Sequence, residues 1–211
     1  LCETIRKQIL GCQPIERTGG RVRSNHPFFE KIAVNPIIAA ISDHDMIDEA
    51  IASPSEIIFL LKGNILNLAE VSKKLKDSGK LVFVHMDLME GLTKESVALE
   101  YVSKTCHLDG IITTRTSLLK KAKELNLFTI QRLFLLDSLS LDRGIHSVKN
   151  IRPDAVEILP GIVPKMTRFL TEELNVPIIT GGLIKDKEDV IESINAGAVG
   201  ISTSRKEIWY L

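Results

Sequence analysis

The chain has 211 residues, of which 44% are hydrophobic and 26% charged, enough apolar material for one domain with a substantial core. Lys+Arg and Asp+Glu both total 27, so bulk charge gives no support to a general nucleic-acid binder, which leans on basic residues opposite phosphates. No apolar run approaches the roughly 20 residues of a spanning helix, and the cysteines Cys2, Cys12 and Cys106 have neither disulfide nor zinc spacing.

Residues 1–33 differ from the rest. They carry Gly11, Pro14, Gly19-Gly20 and the arginines Arg17, Arg21 and Arg23, with no sustained periodicity. They are expected to form an extension, either a flexible segment or an arm that contacts a partner, with a short helix near Ile5–Leu10 and with Phe28 and Phe29 able to plug the end of the main domain, which residues 34–211 form. Cys2, Glu3, Arg6 and Lys7 do not read as a secretory signal, so a cytoplasmic location without membrane association is expected.

From Ile37 a rhythm begins. Nearly unbroken apolar runs recur at Ile37–Ile41, Ile57–Leu61, Leu81–Met86, Gly110–Thr113, Phe128–Ile130, Ala155–Leu159, Pro177–Ile179 and Ala198–Ile201. Such runs suit parallel strands covered on both faces. Amphipathic stretches separate them. Asn64 is placed to cap a helix carrying Leu68, Val71 and Leu75, Ser117 precedes another, and Asp137 and Asp186 are placed to cap two more. The lysines from Lys120 to Lys123 read as a solvated helix face.

Strict alternation of strand and helix implies right-handed parallel crossovers. A doubly wound sheet would usually place a glycine-rich loop after its first strand, but Ile41 is followed by Ser42-Asp43-His44-Asp45. The sequence therefore predicts an α/β fold, a compact single-domain TIM-type (β/α)8 barrel, although such barrels typically run to roughly 250 residues.

In a barrel, residues just past the strand C-termini converge on one site. Gly181 and Gly182 after the seventh strand, and Ser202, Thr203 and Ser204 after the eighth, stand where barrels build phosphate sites. Glycine allows close backbone approach and hydroxyls add donors. The bland alternative is turn-shaping and helix capping. Lys62, Asp87, Arg132, Glu157 and Gly161 are the candidates for a ligand's polar groups, with a closing ion network as the alternative. His85 shares a strand side with Asp87, but a lone histidine is more often structural. No metal, cofactor or catalytic residue is assigned.

Several segments in order resemble the glycerol-3-phosphate-responsive antiterminators. They are Phe83–Leu88 with Glu90-Gly91, Asp109–Arg115, Ile130–Phe134 with Asp137-Ser138, Glu157–Pro164, Gly181–Ile184, and Ser202–Ser204 with Trp209 behind. The resemblance covers about residues 36–209. It implies a non-enzymatic regulator that senses glycerol 3-phosphate and binds the leader messenger RNA of a glycerol-utilisation operon, letting transcription pass a terminator; homo-oligomerisation stays open. Two other readings compete. One is a barrel enzyme acting on a small phosphorylated metabolite, with Lys62 as acid or Schiff-base nucleophile and Asp87 or Glu157 as base. The other is a metabolite-binding protein that signals to a protein partner.

Overall fold

The computed structural model describes residues 25–211. Among them, eight parallel strands close into a barrel in sequence order: β1 Ile37–Ile41, β2 Ile57–Leu60, β3 Leu81–His85, β4 Gly110–Thr113, β5 Phe128–Phe134, β6 Ala155–Leu159, β7 Ile178–Gly181 and β8 Gly200–Thr203. Helix α1, Pro27–Val34, precedes β1. The strands from β1 to β7 are each followed by a helix: α2 Ile47–Ala52, α3 Leu68–Asp77, α4 Ser96–Thr105, α5 Thr116–Glu124, α6 Ser138–Ile151, α7 Pro164–Glu173 and α8 Lys187–Asn195. After β8, a 3-10 turn, Lys206–Tyr210, packs on the outer face. It buries Trp209 completely, and the indole N–H donates to the Thr203 carbonyl at 2.8 Å.

Alternate strand residues point to opposite faces, which builds two cores. Outward residues such as Ile37, Ile41, Val82, Val84 and Ile111 pack under helix residues Ile47, Leu68, Leu75, Leu99 and Leu118. On the far side, Val156, Ile158 and Ile178 meet Val148 of α6 and Leu170 of α7. Inward residues Ile38, Phe59, Phe83, Ile112, Phe128, Ile130 and Ile179 fill the barrel axis.

The expected extension at 1–33 and the barrel at 34–211 meet inside α1. The short helix expected near Ile5–Leu10 lies outside the described residues. The end of the segment does not: Phe28 and Ile32 are fully buried in the inner core and close the N-terminal mouth of the barrel. The Phe28 ring lies 4.7 Å from that of Phe128 and 5.6 Å from that of Phe83. A Cβ on Gly200 would stand 2.7 Å from the Ile32 Cδ1, so glycine at that strand position gives α1 its seat.

Helix ends follow local chemistry, with two corrections. Ser117 lies inside α5, which starts at Thr116, instead of ahead of it. Asp137 and Asp186 cap α6 and α8 as expected, each accepting backbone N–H groups. Asn64 does not cap α3. Its side chain accepts from the N–H groups of Leu66 and Asn67, closing a turn ahead of a helix that starts at Leu68. The first turn went to an Asx turn because a short polar side chain competes for the backbone. The lysine run on α5 is also not uniformly solvated. Lys121 pairs with Glu100 of α4, and Lys123 donates to the carbonyls of Ile151 and Arg152 at the C-terminal end of α6.

The N-terminal plug should be integral to the cooperative core. Phe28→Ala is expected to cost about 3–5 kcal/mol, as aromatic truncations in cores do. Urea unfolding checks this, and a loss below about 1 kcal/mol would mean that α1 docks without stabilising the barrel.

Candidate ligand-binding site

The inner wall changes character toward the strand C-termini. On β3 the inward series is Leu81, Phe83, His85; on β5 it is Phe128, Ile130, Arg132; on β6 it is Ala155, Glu157; on β7 it is Ile179, Gly181. The lower members are apolar, and the uppermost are an imidazole, a guanidinium, a carboxylate and a bare backbone. Register explains the meeting. Arg132 pairs directly with Glu157 across β5 and β6, and Glu157 with Ile179 across β6 and β7.

Arg132 is 6% exposed and Glu157 fully buried, and the Arg132 Nε–H donates to Glu157 Oε2 at 2.6 Å. The other carboxylate oxygen, Oε1, is buried without a hydrogen-bond partner among the described residues. A Cβ on Gly181 would stand 2.9 Å from that oxygen, so glycine keeps the space beside it open. Both nitrogens of His85, 2% exposed, are likewise without a partner. Burial, helped by the nearby Arg132 charge and opposed by Asp87, pushes the His85 pKa down to about 4, so the ring is neutral at pH 7.

The loops after β7 and β8 flank this layer. Gly182 and Leu183 have φ values of +73° and +63°, turning the chain sharply past β7. Gly161, after β6, packs so close to β7 that a Cβ there would stand 2.8 Å from the Gly181 nitrogen, and its N–H donates to the Gly182 carbonyl at 3.1 Å. Ser202 is buried and pairs with Gly181, on the inward side. Thr203 has opposite strand parity, and its hydroxyl accepts from the Arg205 N–H at 3.2 Å. Ser204 is exposed past the strand end. Gly161, Gly181, Gly182, Ser202, Arg132 and Glu157 are thus brought to one side of the mouth.

The other two sequence candidates stand apart. Asp87 is tied to the end of β4: its carboxylate accepts from the Thr113 and Thr114 hydroxyls and the Thr114 N–H, and pairs with Arg115 at 3.3 Å. It comes no nearer than 3.9 Å to the His85 Nδ1, too long for a hydrogen bond. Lys62 follows Leu61, which packs on the inner core, and so takes the opposite parity. It lines a lateral cleft of about 260 Å³ with Asp43, His44, Asn67 and Glu90. His85 was the residue that sequence reasoning set aside. The available signal was its place two residues after the inward Phe83, in step with Arg132 and Glu157.

Among the described residues no group of three or more His, Cys, Asp or Glu side chains is placed to hold a metal ion. No helix there is long and apolar enough to cross a membrane.

Because the unfolded chain carries His85 near 6.5 and the folded one near 4, unfolding takes up a proton between these values. The stability held by a neutral His85 is therefore complete above about pH 6.5 and lost as pH falls toward 4, with a slope approaching about 1.4 kcal/mol per unit. Comparing wild type with His85→Gln by urea unfolding from pH 7 to 4 isolates this component. Parallel curves would mean that the ring is not held neutral by burial.

Comparison with known proteins converges on one family. Residues 37–209 match the glycerol-3-phosphate responsive antiterminator family. The Escherichia coli (strain K12) protein YgcP is 40% identical over 185 residues, covering 88% of this chain and 97% of YgcP. The structure of the glycerol uptake operon antiterminator regulatory protein from Listeria monocytogenes str. 4b F2365 superposes with a TM-score of 0.81 at 32% identity, covering 83% of this chain and 95% of that one. A glycerol uptake operon antiterminator-related protein from Thermotoga maritima MSB8 gives a TM-score of 0.73 at 38% identity, covering 82% and 96%. Aldolase barrels also resemble it at 11–15% identity, which shows the fold alone. With a match across nearly the whole barrel, the chain belongs to the glycerol-3-phosphate responsive antiterminator family.

Proposed function

We propose that this protein is a sensor of glycerol 3-phosphate that acts as a transcription antiterminator by binding the leader messenger RNA of a glycerol-utilisation operon. The observation that carries the ligand half is the buried layer of Arg132, Glu157 and His85, with polar atoms left open beside Gly181 and next to the β7 and β8 loops. Leaving a buried acceptor unmatched costs about 1–3 kcal/mol, and more for a charged group, so such atoms at a barrel mouth favour a polar ligand. The phosphate rests against Gly181-Gly182 and Ser202–Ser204, and Thr203 contributes through its backbone. The ester's hydroxyl-bearing end meets Arg132 and Glu157. Family membership supports both the effector and the regulatory output.

The enzymatic alternative draws less support. Its Schiff-base candidate, Lys62, lines the lateral cleft and not the layer that holds Arg132 and Glu157. RNA contact is not assigned to particular side chains.

Two measurements test the proposal. Glycerol 3-phosphate is expected to raise Tm while glycerol at the same concentration does not, because a ligand bound only to the native state stabilises it. A leader-RNA titration at several salt concentrations is expected to show tighter, salt-sensitive binding when glycerol 3-phosphate is present. Equal Tm shifts from the two compounds overturn the phosphate assignment, and RNA binding indifferent to the effector overturns the regulatory one.

A further inference from the structure

The lateral cleft beside Lys62 has a chemistry of its own. Ile41 and Leu60, paired in register at the tips of β1 and β2, make its floor, and Ile47 of α2 with Leu68 and Val71 of α3 make its sides. All five belong to the outer core, so β1 and β2 stand between this cleft and the inward layer of Arg132 and Glu157. One wall is fixed by the main chain. The Glu90 N–H donates to the Gly63 carbonyl at 2.9 Å and the Ile65 N–H to the Glu90 carbonyl at 3.0 Å, which ties the loops after β2 and β3 together.

Most polar groups at the rim are already spent. The Asn64 side-chain oxygen accepts from the Leu66 and Asn67 N–H groups, and that of Asn67 accepts from the Asn64 N–H at 3.1 Å. The Asp43 carboxylate accepts from the Asp45 N–H. Two charged side chains are not spent. The Lys62 ammonium and the Glu90 carboxylate both line the cleft, and neither has a hydrogen bond or ion pair among the described residues. Because Glu90 is bonded to Gly63, the residue after Lys62, these opposite charges spring from adjoining backbone, yet they do not close on each other.

From this cleft we infer that the protein carries a second small-molecule site, between α2 and α3, that takes a free amino acid with a branched aliphatic side chain. The cleft holds about 260 Å³, below the roughly 300–1,000 Å³ that suits drug-sized ligands, so its occupant is a small metabolite. Floor and sides are aliphatic, so the body of that occupant is apolar. At the rim it meets a cation and an anion that stand close together. A carboxylate and an ammonium on one carbon answer both, the first facing Lys62 and the second Glu90. A phosphate ester would bring two negative charges against Glu90 and Asp43. The inference does not rest on the proposed function, which concerns the axial mouth.

An NMR titration of the full chain tests it with four compounds. They are leucine, isocaproate (leucine without its ammonium), isoamylamine (leucine without its carboxylate) and alanine. Leucine is expected to shift the Gly63, Asn67 and Glu90 amide signals and to leave Gly182 unmoved. Alanine, three carbons shorter, should bind at least about 20-fold more weakly. Isocaproate and isoamylamine should each bind about two- to fivefold more weakly, the range that exposed ion pairs supply. Lys62→Met should erase the difference between leucine and isoamylamine, and Glu90→Gln that between leucine and isocaproate. Both side chains are exposed, so both variants should keep the wild-type melt. Leucine shifts that are absent or centred on Gly182, alanine binding as well as leucine, or either singly charged compound matching leucine overturns the inference. Leucine bound in the cleft of a chain that ignores glycerol 3-phosphate upholds it and overturns the proposed function instead.

Discussion

Two opposite charges held side by side inside the barrel set the terms for everything at its mouth. Removing a guanidinium and a carboxylate from water is costly, and the 2.6 Å contact between Arg132 and Glu157 offsets that cost only while both partners are present. Removing one partner of such a buried pair typically costs about 3–5 kcal/mol. The pair therefore fixes the position of Glu157 and commits one of its oxygens. It also helps keep His85 uncharged, because a third charge beside Arg132 would be repelled. The layer leaves buried polar atoms of Glu157 and His85 unmatched, and the bare backbone at Gly181 leaves room beside the Glu157 Oε1.

The strand period carries this chemistry. Because alternate residues face opposite sides, Phe83 and His85 share the axis while Val84 packs under the helices. The same parity separates Ser202 from Thr203. One stands level with Gly181 on the inner side, whereas the other spends its hydroxyl on the turn that leads to Trp209. Beyond β8, that 3-10 turn covers the outer face of the strand with a single large indole. At the opposite end, α1 supplies the lid, and the aromatic rings of Phe28, Phe83 and Phe128 fill the bore where no ligand is needed.

Much of the fold was legible because its strands are buried on both faces and read as apolar runs such as Ile37–Ile41 and Ala155–Leu159. β5 was read short, to Ile130, because Gln131 and Arg132 break the apolar pattern; yet those two residues continue the strand to Phe134. Gln131 is outward and donates to Ser147 on α6, while Arg132 turns inward. Strand parity alone would have taken Lys62 out of the central group, since it adjoins Leu61. It would have brought His85 in. What the sequence could not supply was the pairing partner of each polar group. That depends on register between β5, β6 and β7, fixed by contacts among residues 22 or more positions apart. The seat of α1 was legible in part: Phe28 and Phe29 marked a plug for the bottom of the barrel, but the burial of Ile32 depends on the small inward Gly200 that faces it.

A ligand can change a protein's output only by binding two of its states with different affinity. The barrel wall is a poor source of that difference. His85, Arg132 and Glu157 stand on strands paired on both sides, beneath a close-packed shell, and their geometry is fixed before any ligand arrives. The difference must then reside in the connections above them. The β6 and β7 loops approach each other so closely that the Gly161 N–H already bonds to the Gly182 carbonyl, and these loops also carry the exposed Ile162, Val163 and Leu183. A phosphate held at Gly182 would bear on that junction directly, while the hydroxyl end engages a wall that does not yield. On the proposed reading, recognition and response fall to different parts of one mouth: the fixed layer would select the ester, and the loops would convert its presence into a changed surface.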